Sequence, residues 1–514
     1  MALVDQFETS ARRRPDGTAL VDARGRLTYA QLLDQVARFL ATLEALGVTP
    51  GDRIVMQVTN SREAAVTVWA VLRLGAVLVP LHSISRAEGS LAVVRDCNPR
   101  WAIIGSEQYA GLDALTSGAE SLRGVAVWSS GRPGPWDNDA RCVTCALAVE
   151  ASTVVDALRA SKLADESLAA ILYTSGSTGE PKGVMLTHGN MAAAVSAVNA
   201  YLGLGDSDVL YSALPLSSSY GLYQLILGLA VGATVVLDRS FAFPAKSLEL
   251  MAAERATVFA GVPTMYAWLA HSTILERYDL GSLRIMTSAA AALPLAHARR
   301  VRERLPQARL FVMYGQTECK RISYLEPDDF DRRPGSVGRG LSRQELAVVD
   351  DNGFRVGPGE TGELVVAGPH VMQGYWGKPE ETARKLRPIQ GDDRPWLHTD
   401  DLFRMDVEGY LYFIGRRDDV FKVGGHKVSP AEVEETLVRM PGVVEAAVTG
   451  VPDAEWGQVV KAFVVTGEEA APTAEDVIRF CAQRLRGFMV PKSVTFVKQL
   501  PKTESGKVRR RDLG

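Results

Sequence analysis

The chain is poor in cysteine, lacks a strong excess of charge of either sign and has no uninterrupted apolar segment of membrane-spanning length. Its 514 residues include 5 cysteines. That small, odd number argues against a disulfide-stapled secreted scaffold and favours a reducing compartment, which we expect to be the cytoplasm. The 57 basic and 60 acidic side chains give a net charge of -3, so the composition indicates neither nucleic acid nor an anionic membrane as the main partner.

The longest apolar segments are residues 64–81 and 221–237. Arg73 interrupts the first and glycines interrupt the second, and both are shorter than the ~20 residues that a spanning helix needs. Each segment predicts a buried helix followed by a buried strand, and no membrane span is expected. The N-terminus also lacks the apolar core of a signal peptide.

The pattern of apolar residues changes twice along the chain. Between residues 27 and 270, helical segments alternate with short Val/Ile/Leu strands, which is typical of a parallel sheet covered on both faces. After about residue 330, short strands separated by Gly and Pro turns favour a small β-barrel or antiparallel sheet. We therefore predict an α/β fold: a large N-terminal domain of layered α/β subdomains plus the small β-barrel, residues 1–417, followed by an α+β domain, residues 418–514.

The strongest local signal is the segment LYTSGSTGEPKGVMLTH, residues 172–188. Backbone N–H groups of a Gly-rich loop can approach phosphate oxygens closely, and hydroxyls and a lysine add donors and charge. The string is not a Walker A loop, because Pro181 and Gly183 break that pattern. A flexible surface linker is the alternative for a generic loop of this composition. The candidate phosphate-binding residues are Thr174, Ser175, Gly176, Ser177, Thr178, Gly179 and Lys182.

Further strings occur downstream in a fixed order: GVPT (261–264), MYGQTE (313–318), TGELVVAGPHVMQGYW (361–376), WLHTDDL (396–402), GRRDDVFKVGGHKVSPAEVE (415–434) and PKTESGKVRR (501–510). With the first segment they resemble the adenylate-forming superfamily, which includes acyl- and aryl-CoA synthetases, adenylation domains of peptide synthetases and firefly luciferase. The resemblance covers nearly the whole chain. It implies ATP-dependent activation of a carboxylic acid to acyl-AMP with release of pyrophosphate, followed by transfer to the thiol of CoA. The implied cofactors are ATP, Mg²⁺ and CoA.

The resemblance implies a catalytic role for Lys507, Thr317 and Glu318. An attacking carboxylate and the α-phosphate are both anions, and like charges about 4 Å apart repel by ~1 kcal/mol in water and ~4 kcal/mol at an effective dielectric near 20. Lys507 resembles the family lysine that bridges these two groups, although composition alone would describe its segment as a basic tail. Glu318 resembles the magnesium ligand, and Thr317 beside it is expected to bond the α-phosphate.

The nucleotide site is expected around Ala289, Ala290, Gly315 and Tyr314, with Tyr314 against the adenine. Asp401 is expected to bond the ribose hydroxyls, and Arg416 to contact ribose or phosphate. These roles depend on the family pattern, because most Asp and Arg residues are surface charges and a strand-end Tyr is more often core packing.

Three positions depart from that pattern. Asp400 stands where a Gly is usual before the ribose aspartate, and Ser218 stands where a His is usual. The stretch Ser288–Pro294 has alanines where the family has a Gly-Gly pair, which removes glycine's backbone freedom.

A mobile C-terminal domain follows from the same resemblance. Asp418 occupies the family's hinge position, where the domain rotates between two half-reactions. In one pose Lys507 reaches the active site, and in the other the segment from Lys422 to Gly425 faces it. Gly424 and Gly425 would then leave room for a narrow pantetheine arm, although an ordinary tight turn explains a Gly pair equally well.

The acid pocket is expected to be of mixed polarity, lined by Tyr220, Gln224, Gly261, Thr264, Ser288 and Met313. No Asp stands at an obvious site to hold an amino acid's ammonium group, which favours an aryl, fatty or polycyclic carboxylic acid. Cys319, Lys320 and Arg321 follow Glu318. We expect Lys320 or Arg321 either to pair with a polar group of the acid or with phosphates of the thiol partner, or to be solvated cations of a surface turn.

Two alternatives to CoA ligation remain open at this point. The acyl group could pass to the phosphopantetheine of a carrier protein or stop at the adenylate for a separate transferase, and because the sequence stops at Gly514 we expect no fused carrier. A non-catalytic nucleotide sensor is an alternative of a different class. The joint presence of Lys182, Glu318, Asp401, Arg416 and Lys507 argues against it.

Overall fold

The structure is a computed structural model that describes residues 3–83, 87–129, 133–146, 163–175, 180–467, 472–502 and 508–513. Its α-helices are α1 (Leu3–Arg13), α2 (Tyr29–Ala45), α3 (Arg62–Leu74), α4 (Ala87–Cys97), α5 (Leu112–Thr116), α6 (His188–Leu202), α7 (Ser219–Val231), α8 (Pro244–Ala253), α9 (Pro263–His271), α10 (Leu295–Arg304), α11 (Pro379–Lys385), α12 (Pro430–Val438) and α13 (Ala474–Ala482).

The β-strands are β1 (Thr18–Asp22), β2 (Gly25–Thr28), β3 (Arg53–Gln57), β4 (Val77–Pro80), β5 (Trp101–Gly105), β6 (Gly124–Trp128), β7 (Cys142–Cys145), β8 (Leu168–Ser175), β9 (Pro181–Thr187), β10 (Val209–Ser212), β11 (Thr234–Leu237), β12 (Val258–Gly261), β13 (Ile285–Ser288), β14 (Arg309–Tyr314), β15 (Ser323–Leu325), β16 (Arg339–Gly340), β17 (Glu345–Val349), β18 (Thr361–Ala367), β19 (Gly374–Tyr375), β20 (Leu386–Ile389), β21 (Asp392–Met405), β22 (Leu411–Arg416), β23 (Phe421–Val423), β24 (His426–Val428), β25 (Val443–Asp453), β26 (Gly457–Thr466) and β27 (Ser493–Phe496).

Two large sheets form the N-terminal part. One has the strand order β16-β15-β14-β13-β12-β10-β11-β1-β2, and the other has the order β19-β9-β8-β4-β3-β5-β6-β7. The central strands of both are parallel, and antiparallel pairs occur only toward their ends, as at β14–β15 and β8–β9. Parallel strands need crossover connections, and the helices supply them. The predicted α/β class is confirmed.

The two apolar segments form the elements that the sequence predicts. The first is α3 followed by β4; α3 begins after Ser61, whose side chain accepts a hydrogen bond from the Ala64 N–H at 3.4 Å, and ends at Gly75. On α3, Trp69 is buried and stacks on Phe7 with ring centroids 4.6 Å apart. The second segment forms α7 and β11. Among the described residues, no helix is both long and apolar enough to cross a bilayer.

Two smaller units follow. An antiparallel sheet has the strand order β17-β18-β21-β20, with β22 also paired to β21. It is the small antiparallel unit predicted after residue 330. The C-terminal part contains the β23–β24 hairpin, the three-stranded sheet β25-β26-β27 and helices α12 and α13, which confirms the predicted α+β texture.

Candidate active site

The site lies where several strands of the first large sheet end. Gly261 closes β12 and is in register with Ser288, which closes β13; Tyr314 closes β14 beside them. The carboxyl edge of a parallel sheet is the usual place for ligands in α/β proteins, because the loops that leave it converge there. Three of the predicted site residues therefore share one edge, although they are up to 53 residues apart in the chain.

The loop after β14 is folded tightly against its own end. The backbone N–H of Ile322 donates to the carbonyl of Tyr314 at 2.9 Å, and a Cβ at Gly315 would lie 2.3 Å from the carbonyl oxygen of Lys320. Only glycine fits such an approach. The loop carries Thr317 and Glu318, both half-buried, so the sequence MYGQTE acts as one compact unit.

Asp401 lies on β21 and faces this loop. One carboxylate oxygen, Oδ2, accepts hydrogen bonds from the Tyr314 hydroxyl at 2.6 Å and from Nε2 of Gln316 at 2.9 Å. The other, Oδ1, has no hydrogen-bond donor among the described residues, although Nε of Arg416 lies 3.4 Å away. Burial raises the pKa of Asp401, and the hydrogen bond from Tyr314 and the charge of Arg416 oppose that rise. The hydrogen bonds to Oδ2 therefore fix the orientation of the Asp401 carboxylate, while Oδ1 has no hydrogen-bond donor in the described part of the chain.

Gln316 was not among the predicted site residues. Besides Asp401, its Nε2 donates to the backbone carbonyl of Thr399 at 2.8 Å. Its position inside MYGQTE was the only available signal. The Tyr314 ring packs on Phe403, with centroids 4.8 Å apart, so one side of the ring is already covered by protein.

Glu318 is oriented by a second residue that the prediction missed. The Tyr375 hydroxyl donates to Oε1 of Glu318 at 2.8 Å, and the Met372 N–H donates to the Glu318 carbonyl at 2.7 Å. Burial, together with the charge of Glu318, raises the pKa of Tyr375 above its usual value, so Tyr375 remains a donor. The residue belongs to the quoted string 361–376, but nothing in that string shows that it reaches Glu318.

Lys182 lies on β9, directly opposite Thr174 of β8, at the end of the predicted phosphate loop. Its Nζ forms an ion pair with Glu381 of α11 and lies 5.6 Å from the centre of the Tyr375 ring. Lys182 is thus paired with a carboxylate, and its predicted contact with phosphate stays a prediction. The other predicted phosphate-binding groups of this loop, the Ser175 side chain and Gly176 to Gly179, lie outside the described residues, as does Lys507.

The three departures from the family pattern have clear local consequences. Ala290 has φ +80° and Asp400 has φ +59°, so two non-glycine residues occupy left-handed backbone at positions where the family has small or glycine residues. Asp400 also accepts a hydrogen bond from Nζ of Lys385 at 2.6 Å. Ser218 caps α7, because its Oγ accepts from the Gly221 N–H at 3.0 Å. Ala289 is buried beside Ala290.

A cavity lies between α6, α7 and the loop after β14. Its lining residues include Tyr220, Tyr223, Gln224, Lys320, Arg321 and Met313, but the surface that faces the cavity is almost entirely apolar and its free volume is only about 10 Å³. The predicted pocket residues Tyr220, Gln224 and Met313 are thus brought together. Gly261, Thr264 and Ser288 are not among its lining residues.

Tyr220 fixes one wall of this cavity. Its hydroxyl lies 2.7 Å from Oγ1 and 2.9 Å from the carbonyl of Thr287, and burial raises its pKa to about 12. The expectation that Lys320 or Arg321 forms a solvated surface turn is wrong. Both side chains are buried.

The predicted hinge and thiol residues lie on the C-terminal side of β22. Asp418 and Lys422 are exposed. Gly424 and Gly425 form the two-residue turn of the β23–β24 hairpin, with φ +53° and +84°. Two positive φ values characterise a type I′ turn, which explains the Gly pair without any ligand. Nothing in this turn bears on the expected thiol path.

The chain matches two family descriptions. AMP-binding enzyme matches residues 7–376, and AMP-binding enzyme C-terminal domain matches residues 432–507. A feruloyl-CoA synthase from Amycolatopsis sp. is 34% identical over 509 residues, covering 98% of this chain and 96% of its own length.

Two solved structures are similar over nearly their whole length. The anthranilate CoA ligase AuaEII in complex with anthranoyl-AMP has a TM-score of 0.88 and 28% identity, with 100% of this chain and 96% of that chain covered. ATP-bound MatB from Rhodopseudomonas palustris has a TM-score of 0.85 and 31% identity, with 100% and 98% covered. The resemblance drawn from the motifs is confirmed, and the chain belongs to the AMP-binding enzyme family of the adenylate-forming superfamily.

Proposed function

We propose that this chain is an AMP-forming acid–CoA ligase. A carboxylate oxygen of the acid attacks the α-phosphorus of ATP, and the bond to pyrophosphate breaks. The thiol sulfur of CoA then attacks the acyl carbon and gives up its proton, while AMP leaves with the bonding electron pair. The site residue that supports this best is Asp401, a buried carboxylate with one oxygen fixed by Tyr314 and Gln316 and one oxygen without a donor among the described residues.

We propose that Oδ1 of Asp401, which lies 3.4 Å from Nε of Arg416, accepts hydrogen bonds from the ribose hydroxyls of ATP. A buried acceptor without a donor costs about 1–3 kcal/mol, and a bound ribose would remove that cost. Arg416 lies beside it in register on β22 and is 60% exposed, so its guanidinium can reach ribose or phosphate. Thr317, on the loop after β14, is proposed to bond the α-phosphate.

Glu318 fits a role as the protein ligand of Mg²⁺. Its Oε1 is oriented by the Tyr375 hydroxyl, and no group of three or more His, Cys, Asp or Glu side chains that could hold a metal occurs in the described part of the chain. Mg²⁺ typically takes one or two carboxylates and fills its remaining positions with phosphate oxygens and water. When bound, the ion would neutralise phosphate charge and favour departure of pyrophosphate.

Lys182 would supply a second positive charge at the phosphates. Its present partner, Glu381, is 24% exposed, so ATP phosphates compete with one carboxylate rather than with a buried network. Lys507 is proposed from its motif as the cation between the acid carboxylate and the α-phosphate. A preorganised cation at that point lowers the repulsion between the two reacting anions.

We place the boundary between the two domains at Arg417 and Asp418, with Asp418 as the hinge. The backbone there is tied to the nucleotide side, because the Arg417 N–H donates to the Asp400 carbonyl at 2.9 Å. Rotation about the next residue would exchange Lys507 for the segment from Lys422 to Gly425. Such closure would order the site before each half-reaction.

The acid is proposed to be an aryl, fatty or polycyclic carboxylic acid, because aromatic and apolar side chains form most of the cavity. CoA is the acceptor, as the name of the similar feruloyl-CoA synthase indicates for that relative. Delivery to a carrier-protein phosphopantetheine is the alternative acceptor. We propose the cytoplasm as the compartment.

A screen of carboxylic acids by hydroxylamine trapping, run with and without CoA, tests the proposal. A ligase forms hydroxamate with a subset of acids and forms the corresponding thioester when CoA is present. Hydroxamate without thioester would assign the acyl group to another acceptor. ATP binding with no acid-dependent product across the panel would instead identify a nucleotide sensor.

A further inference from the structure

Helix α11 and its N-cap residue present one face to the candidate active site. The residues of this face lie at helical spacings, and each contacts a different part of the site: Lys378, Glu381, Thr382 and Lys385. Their partners are, in the same order, Glu180, Lys182, Tyr375 and Asp400. One short helix thus joins the strand that carries Lys182 to the residue that orients Glu318.

Two of these contacts are ion pairs with opposite arrangements of charge. Lys182 pairs with the carboxylate of Glu381, whereas the carboxylate of Glu180 lies 3.7 Å from Nζ of Lys378. The Glu180 side chain is 78% exposed, so its pair contributes little. The side chains of Lys182 and Glu381 are only 19% and 24% exposed, and water screens their attraction less. The pair between Lys182 and Glu381 is therefore the stronger contact.

The backbone of α11 is fixed at this point. Oγ1 of Thr382 accepts a hydrogen bond from the Tyr375 N–H at 2.9 Å. Tyr375 in turn is in register with Val184 of β9, the strand that carries Lys182. Glu381 is thus held beside Lys182 by backbone contacts, and its side chain is the part that can turn away.

Glu381 places a negative charge at the lysine proposed to bind phosphate. The hydrogen bond and the charge of Lys182 lower the pKa of Glu381 against an opposing effect of burial, so the side chain is ionised at neutral pH. A carboxylate and a phosphate at the same ammonium group repel each other. ATP must therefore displace Glu381 from Lys182 or bind against that repulsion.

Other cations are available to Glu381 on its own helix. Lys378 stands three residues before it and Arg384 three residues after it, a spacing at which side chains of a helix meet. The charges of both residues already act on the Glu381 carboxylate. A change of its side-chain rotamer would exchange Lys182 for one of them and leave the backbone in place.

We infer that Glu381 competes with the phosphates of ATP for Lys182 and thereby sets the affinity for ATP. In the free protein Glu381 holds Lys182. When ATP binds, Lys182 passes to a phosphate oxygen and Glu381 turns to Lys378 or Arg384. This inference rests on the proposed function, in which Lys182 contacts phosphate, and it assigns a role to a residue outside each of the recognised motifs.

The test measures the dissociation constant of ATP by titration calorimetry, with Mg²⁺ but without acid or CoA. Glu381→Gln removes the competing charge and keeps the size of the side chain. The dissociation constant should therefore fall about twofold to fivefold, the range expected for a partly exposed ion pair. Glu380→Gln is the matched control, because it removes the same charge from the adjacent, exposed position of the same helix. It should leave the dissociation constant unchanged.

A double-mutant cycle shows whether the effect passes through Lys182. Lys182→Met should weaken ATP binding, and Glu381→Gln in that background should produce no further change. Thermal unfolding without ATP gives a second readout. Glu381→Gln removes an ion pair from the free protein, so its unfolding temperature should equal that of wild type or be lower. Tighter ATP binding together with equal or lower stability does not arise from general damage to the fold.

Four results would overturn the inference. The first is unchanged or weaker ATP binding in Glu381→Gln; weaker binding would mean that Glu381 orients Lys182 for phosphate. The second is equal tightening in Glu380→Gln, which would indicate a general effect of net charge. The third is tightening by Glu381→Gln that persists beside Lys182→Met, which would indicate direct repulsion of ATP.

The fourth is unchanged ATP binding in Lys182→Met while acid-dependent release of pyrophosphate continues, which leaves the ligase function intact. Absence of acid-dependent pyrophosphate release in a wild-type protein that binds ATP would instead count against the proposed function. The two failures are distinguishable, because the ATP titrations require no reaction.

Discussion

Replacing Tyr314 by Phe should move the acid side of the pH profile for ATP use to higher pH. The Tyr314 hydroxyl donates to Oδ2 of Asp401 at 2.6 Å and stabilises the ionised carboxylate. Burial already raises the pKa of Asp401. Because only the carboxylate accepts bonds from both ribose hydroxyls, kcat/KM for ATP should fall as the pH drops through that pKa.

The size of the shift follows from the lost hydrogen bond. A hydrogen bond to a charged group is worth about 1.5–3 kcal/mol. One pKa unit corresponds to about 1.36 kcal/mol, so the variant's acid limb should move up by about one to two pH units. Gln316 still donates to the same oxygen at 2.9 Å, which favours the lower end of this range.

The measurement is pyrophosphate release at limiting ATP between about pH 5 and pH 8, where a shift of this size is resolved. Tyr410→Phe is a matched control, because the Tyr410 hydroxyl also donates to an aspartate at 2.6 Å. That aspartate is Asp329, which follows β15 and is not one of the predicted site residues. The acid limb of this variant should coincide with that of wild type. An unshifted profile in Tyr314→Phe, or an equal shift in Tyr410→Phe, would refute the assignment of Asp401 to the nucleotide.

Three further substitutions test other parts of the site. Ala290→Gly should raise the free energy of unfolding by about 0.5–1 kcal/mol in urea titrations. The change removes a left-handed backbone penalty of about 1–2 kcal/mol, and the greater entropy of the unfolded chain offsets about 0.4–1 kcal/mol of that gain. Ala289→Gly, at a position without positive φ, should lower the free energy of unfolding. Gly315→Ala should cost about 1–3 kcal/mol in the same titration, because its Cβ would lie 2.3 Å from a carbonyl oxygen, and unchanged stability would contradict the tight loop. Lys507→Ala should abolish acyl-adenylate formation but still transfer a supplied acyl-adenylate to CoA, whereas Gly425→Trp should do the reverse; loss of the same half-reaction in both would contradict the two-pose mechanism.

The fold could be predicted because its signals are local. Segments such as residues 64–81 are almost entirely apolar, interrupted by Arg73, and a buried helix followed by a buried parallel strand produces that pattern. Gly75 marks the end of the helix. The short strands after residue 330 are separated by Gly and Pro residues, which mark the turns in the sequence. Each of these predictions needed only neighbouring residues.

The candidate site could be predicted only where a motif holds a whole unit together, as in residues 313–318. The partners that orient it come from distant elements: Tyr375 reaches Glu318 from β19, and Glu381 reaches Lys182 from α11. The spacing of residues along the sequence does not predict contacts between such distant elements. The same limit explains Lys320 and Arg321, because charged residues after a strand usually face solvent and only the packing of α6 and α7 buries them.

The most direct test of the central claim is exchange of labelled pyrophosphate into ATP, measured without CoA. The proposed reaction predicts exchange that requires a carboxylic acid, that needs no thiol and that Lys507→Ala abolishes. Exchange that proceeds equally without any acid, or none with any acid across the panel in an enzyme shown to bind ATP, would contradict it.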